Sequence, residues 1–145
     1  MTRNLIATLF LVASLAVSGA ALAQDNPAAA TYADIEATLG VVPSHFKAYP
    51  TQSIAGAWEM TKSLLTSPDN SLEPKVKSLI NLAVAAQIPC TYCIWLETKF
   101  ARQQGATEAE ISEAVAQAAY VRHWSTVLNG MQIDFETFKA EFGGE

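Results

Sequence analysis

The chain has 145 residues, half of them hydrophobic, with nine Lys and Arg against fourteen Asp and Glu and a formal net charge of −5. The charges are acidic in balance and unclustered, which excludes nucleic acid and an anionic membrane surface as natural partners, since both call for a basic patch. The length suffices for one domain with a sizeable core and leaves little room for a second.

Residues 1–23 read as a secretory leader. Arg3 supplies positive charge, Leu5 to Val17 a short apolar core, and Ala21-Leu22-Ala23 a small-x-small cleavage site before Gln24. An uncleaved N-terminal anchor is the alternative, and the shortness of the apolar run counts against it. The expected setting is therefore export, to the periplasm, with no membrane attachment after cleavage. Loss of Arg3 with the leader leaves eight basic residues against fourteen acidic ones. In an oxidising compartment the only two cysteines, Cys90 and Cys93, are expected to rest as a disulfide.

A polar, alanine-rich lead-in and a first helix occupy 24–38, ahead of a main domain at 39–145. Tyr32, Ile35 and Leu39 have helical spacing, and Gly40 stands where a C-terminal stop belongs. Ser44 is placed to cap a short helix through Ala48, which Pro50 ends. A helix over 51–65 is expected to bury Ile54, Trp58 and Leu65, and the turn formers of Ser67 to Ser71 break it. Ser71 is expected as the next N-cap, with Glu73 and Pro74 in the first turn. Leu79 to Ile88 is apolar nearly all round, which predicts a helix buried on most sides. A helix from about Pro89 to Gln104 then carries the thiols, and Gly105 ends it. Thr107 and Glu110 form a capping-box pair that opens a helix with an inner face of Ile111, Ala114, Val115, Ala118 and Val121, stopped at Asn129-Gly130. Asp134 caps a last helix to Phe142. No strand alternation, repeat or low-complexity segment follows the leader, so the expected class is all-α.

Chemistry concentrates at Cys90-Thr91-Tyr92-Cys93. Proline is favoured at a first helical position, so Pro89 puts both sulfurs near a helix N-terminus, where unpaired N–H groups and the dipole favour a thiolate. Residues i and i+3 share a face, close enough to join. A zinc half-site would need two more ligands, and the only imidazoles, His45 and His123, lack zinc-finger spacing. A staple around two intervening residues removes little unfolded-chain entropy. A redox pair is the favoured reading. Glu97, four residues after Cys93, shares its face and is either a solvated carboxylate or a proton acceptor for a thiol. Ser78 and Asn81 either face the thiols or are ordinary backbone-bonded polar residues, and His123 is either structural or catalytic.

The segments Leu39 to Pro43, Glu73 to Val84, Cys90 to Cys93 and Gly105 to Ile111 together resemble the alkylhydroperoxidase D-like family, part of the carboxymuconolactone decarboxylase superfamily, over about residues 39–130. The resemblance implies an alkylhydroperoxidase-like helical domain of about six helices, with the Cys-x-x-Cys at a helix N-terminus, assembled into trimers or hexamers. It implies peroxide reduction, in which one cysteine attacks a small-molecule peroxide, the other closes the disulfide, and a protein or small-molecule thiol restores the pair. Fully equipped members relay a proton through a glutamate before the thiols and a histidine four residues after the second cysteine. Those positions match Ser78 and Glu97 here, leaving Glu97, His123 and Ser78 as candidates for a substitute relay. The resemblance makes Cys93 the attacking residue, whereas the local electrostatics favour Cys90. Neither calls for a cofactor or a metal ion. The other readings are periplasmic thiol-disulfide exchange and an inert helical oligomer or binding module of the same fold.

Overall fold

The computed structural model describes residues 28–144, so the leader expected over 1–23 lies outside the described residues. Those residues form seven helices and no strand, as the all-α reading expects: α1 (Ala29–Leu39), α2 (Ser44–Ala48), α3 (Ile54–Thr66), α4 (Pro74–Gln87), α5 (Thr91–Gln103), α6 (Glu108–Gly130) and α7 (Phe135–Glu141). None of them is long and apolar enough to cross a membrane.

The chain divides into two units, the first ending at Trp58 and the second starting at Glu59, within α3. In the first unit Ala28, Ile35, Phe46, Ile54 and Trp58 form a buried cluster, with Tyr32 and Val42 against it. Phe46 and Trp58 meet edge to face at 5.7 Å, and the Trp58 indole N–H donates to Asp34 Oδ2 at 2.7 Å, so the ring is buried without leaving its polar atom unpaired. Gly40 closes α1 at φ +77°, a left-handed conformation that L side chains rarely adopt, as its place in the sequence predicts.

In the second unit α4 packs against α5 and α6, and α5 against α6. Leu82, Ala101 and Ile111, one from each helix, form the buried centre, with Leu79, Ile94 and Ala106 around it. The capping box at the start of α6 is complete. Thr107 Oγ1 accepts from Glu110 N–H at 3.1 Å, and Glu110 Oε2 accepts from Thr107 N–H at 2.7 Å, so two first-turn donors are satisfied reciprocally. Lys75 donates to the same Glu110 at 2.8 Å, and these bonds hold its carboxyl down at about 2. Asp134 caps α7 by accepting from Thr137 N–H at 2.8 Å.

Several expectations shift. Ser71 does not cap α4. Pro74 occupies the first helical position and Glu73 the N-cap, because the fixed φ of proline sets where the helix starts. Ser44 lies inside α2, and Pro43 takes its N-cap. Leu65 is exposed rather than buried. The largest shift concerns α4, whose all-round apolar sequence predicts burial on most sides. Only Ser78, Leu82 and Ala85 are buried, while Val76, Ile80 and Val84 are exposed along one i, i+4 stripe, Val84 at 54%. On α6, Val115 and Val121 are likewise exposed although their spacing places them on the expected inner face. Periodicity reports that a face is apolar, and it does not distinguish a face covered within one chain from a face left for another surface.

Candidate functional site

Cys90 and Cys93 are joined as a disulfide with their α-carbons 5.3 Å apart. The local geometry differs from the expectation by one useful step. The helix does not begin at Pro89. Cys90 is the N-cap of α5 in an extended conformation (φ −86°, ψ 98°), and Thr91 is the first helical residue. The Cys90 sulfur therefore occupies the place of a capping side chain, and it accepts the backbone N–H of Cys93 at 3.2 Å. That N–H belongs to the first turn and has no intrahelical partner. A negative sulfur gains more from such a donor than a neutral one, and the dipole acts in the same direction. Cys90 N–H in turn donates to Ala85 O at 3.1 Å, so the last turn of α4 anchors the cap.

Glu97 lies one turn beyond Cys93 on the same face of α5. Its Oε2 is buried with no hydrogen-bond partner, and the Asn81 side chain of α4 lines the same pocket. Burial pushes the Glu97 carboxyl above the ordinary value, and the Asn81 side chain only partly offsets this. The pair sits in a pocket of 590 Å³ whose walls are mostly apolar, with Met60, Leu64, Ile80, Leu96 and Phe100 among them. Lys77 lines the same pocket and donates to Leu64 O at 3.0 Å. A carboxyl in such surroundings is a stronger base than one in water.

Ser78 is buried (7% exposed) and, with Asn81 and Phe100, lines a smaller recess of 190 Å³. It and Glu97 thus share Asn81 as a neighbour. His123 is exposed on α6, its ring edge-on to that of its chain neighbour Trp124 at 5.2 Å. The geometry brings together the two cysteines on one side and Glu97 with Asn81 on the other, joined by a single turn of α5. Asn81 is the residue whose part the sequence left open. Its i+3 relation to Ser78 was legible, but its pairing with Glu97, sixteen positions away, depends on how α4 crosses α5. Among the described residues no cluster of three His, Cys, Asp or Glu side chains could hold a metal ion.

Residues 54–134 match the carboxymuconolactone decarboxylase family model. The uncharacterized protein 4 in the cox locus of Paracoccus denitrificans is 43% identical over 54 residues, which are 37% of this chain and 49% of that protein. The chain thus spans about half the length of the curated relative it matches. Among solved structures, the alkylhydroperoxidase AhpD core of Rhodospirillum rubrum is similar with a TM-score of 0.65 at 29% identity, covering 75% of this chain and 83% of that one.

Proposed function

The chain belongs to the carboxymuconolactone decarboxylase family, and from that premise we propose that it is a thiol-dependent oxidoreductase that reduces peroxides through Cys90 and Cys93. An alkylhydroperoxidase-like fold carrying a Cys-x-x-Cys disulfide fits a peroxide-related redox role. The observation that carries the finer reading is the Cys93 N–H held on Cys90 Sγ at the start of α5.

In this reading the Cys90 thiolate attacks the terminal peroxide oxygen. The S–O bond forms as the O–O bond breaks, and the alkoxide takes a proton from water to leave as the alcohol. Cys90 is then a sulfenic acid. Glu97, its basicity raised by burial, accepts the Cys93 proton. The Cys93 thiolate attacks Cys90 Sγ, hydroxide departs and is protonated to water, and the disulfide is restored. A dithiol reductant supplies the two electrons for the next cycle. The assignment of Cys90 as nucleophile reverses the order that the family resemblance implies. The exported, periplasmic setting rests on the composition of residues 1–23. Assembly into a trimer or hexamer would cover the exposed Val76–Ile80–Val84 stripe of α4.

Mixing the reduced protein with stoichiometric cumene hydroperoxide, while following free thiols and mass, tests this function. The expected result is loss of both thiols about fivefold faster than for free cysteine, because a hydrogen bond of about 2 kcal/mol to a charged sulfur raises the thiolate population and lowers its nucleophilicity by about half as much on a logarithmic scale. Loss at the rate of free cysteine would contradict it.

A further inference from the structure

Cys90 stands between two helix ends of opposite polarity. Behind it α4 stops at Gln87, and ahead of it α5 starts at Thr91. Unpaired carbonyls give the first end partial negative charge, which opposes an anionic sulfur, and unpaired N–H groups give the second the opposite sign. Cys90 is bonded to both. Its N–H donates to Ala85 O at 3.1 Å, and its sulfur accepts Cys93 N–H at 3.2 Å. Left to themselves, the two dipoles largely cancel at this residue. The last turn of α4 has no basic side chain of its own to offset its end. The cation comes from another helix. Arg122 of α6 donates from Nε to Gln87 Oε1 at 2.6 Å and from Nη2 to Gln87 O at 3.4 Å. A guanidinium thus sits on the final residue of α4, where a cation is favourable. Val84 O and Ala85 O accept Ile88 and Cys90 N–H at 3.1 Å, and Arg122 supplies the bond to Gln87 O. Among the described residues Arg122 has no carboxylate partner to cancel its charge.

We propose that Arg122 neutralises the C-terminal end of α4, so that the field of α5 prevails at Cys90 and favours its thiolate when the disulfide opens. The bonds of Arg122 run to Gln87, which makes it a positioning residue that acts through the helix end and not on the reacting atoms. The proposal rests on the reading of Cys90 as the attacking thiol and adds a second source of its ionisation to the Cys93 N–H. The other charges on these helices do not supply it. α5 brings Glu97, one turn beyond Cys93, whose carboxylate opposes a thiolate. Lys75 and Lys77 lie in the first turn of α4, bonded to Glu110 and to Leu64 O. His123, next to Arg122 on α6, is exposed with its ring against Trp124. A guanidinium keeps its charge throughout the range in which a thiol titrates, so its effect on Cys90 is constant across that range.

Cys93→Ser protein tests this, because Cys90 is then its one thiol and the backbone N–H at position 93 is kept. The pH profile of its alkylation by iodoacetamide, taken at low salt, reads the ionisation of Cys90. Adding Arg122→Met should move the midpoint up by about half a pH unit, and about 0.5 M salt should remove most of that difference. Arg122→Gln, which can still bond to Gln87 but carries no charge, should move it as far. Arg122→Lys keeps the charge and should bring the midpoint back to within about 0.2 of the parent value. A role in packing alone would give neither the rescue by lysine nor the response to salt. An unchanged midpoint in Arg122→Met or Arg122→Gln, or a shift in Arg122→Lys as large as theirs, would overturn the proposal. A parent thiol that follows this pattern yet reacts with cumene hydroperoxide no faster than free cysteine would instead overturn the redox reading, and leave the effect of Arg122 on Cys90 standing.

Discussion

Reduced Cys93→Ser protein should consume one equivalent of peroxide at close to the wild-type rate and then stop, with a sulfenic acid on Cys90 that dimedone labels. In Cys90→Ser protein the fast reaction should be lost and the remaining Cys93 should react about fivefold more slowly, the net effect expected when a thiolate lacks a helix N–H worth about 2 kcal/mol and keeps the higher nucleophilicity of a less stabilised sulfur. The asymmetry follows from position. Cys90 occupies the N-cap and its sulfur accepts from Cys93 N–H, whereas Cys93 lies inside the first turn of α5. Mass spectrometry of the dimedone adducts reads the outcome directly. Fast labelling of Cys93 in Cys90→Ser protein, with an unreactive Cys93→Ser variant, would reverse the roles and agree with the order implied by the family resemblance.

Glu97→Gln should leave the first, peroxide-consuming phase intact and slow closure of the disulfide by about a hundredfold, the usual contribution of a positioned general base. The dependence on pH gives the sign. Burial raises the Glu97 carboxyl above its ordinary value, so at low pH it is protonated and cannot accept the Cys93 proton. Closure should therefore accelerate as pH rises through that raised value, and Glu97→Gln should abolish the acceleration. Stability should run the other way. Between the ordinary and the raised value the folded protein holds a proton that the unfolded chain has released, so Glu97 makes stability fall as pH rises through that window. Glutamine keeps the shape and the Asn81 contact but removes the proton, and it should flatten the slope. Urea midpoints across the acid range, set beside closure rates from stopped-flow fluorescence, check both signs. A closure rate with the same pH dependence in both proteins would remove Glu97 from the mechanism.

What the sequence disclosed and what it withheld divide along one line. Features fixed by neighbouring residues were legible. The Thr107–Glu110 capping box, the Asp134 cap, the Gly40 stop and the all-helical class depend on three or four adjacent positions and formed as read. The shift from Pro89 to Cys90 is small in residues and large in consequence, because an N-cap sulfur can accept a backbone N–H that a sulfur one position further in could not reach in the same way. Features that need the crossing of two helices were not legible. Glu97 and Asn81 meet only because α4 packs on α5, and the exposure of Ile80 and Val84 depends on which surfaces this chain covers by itself. His123 was an open candidate in sequence and lies exposed on α6 beside Trp124. The departures at Ser78 and Glu97 from the glutamate and histidine of a full relay stand in the sequence, and the structure adds that both residues border Asn81.

Under the proposed function Cys90–Cys93 is a working redox couple and not a staple, and the two differ in reduction potential. A staple draws its stability from the folded chain and resists reduction. Here the ring closes over only two intervening residues, and the reduced state gains from the N–H on Cys90 Sγ, so both effects raise the potential. Equilibration with defined dithiothreitol and glutathione buffers, read by alkylation and mass, should place it between about −270 and −180 mV, the range of exchanging dithiols. A value below about −300 mV would mark an inert structural disulfide and contradict the account.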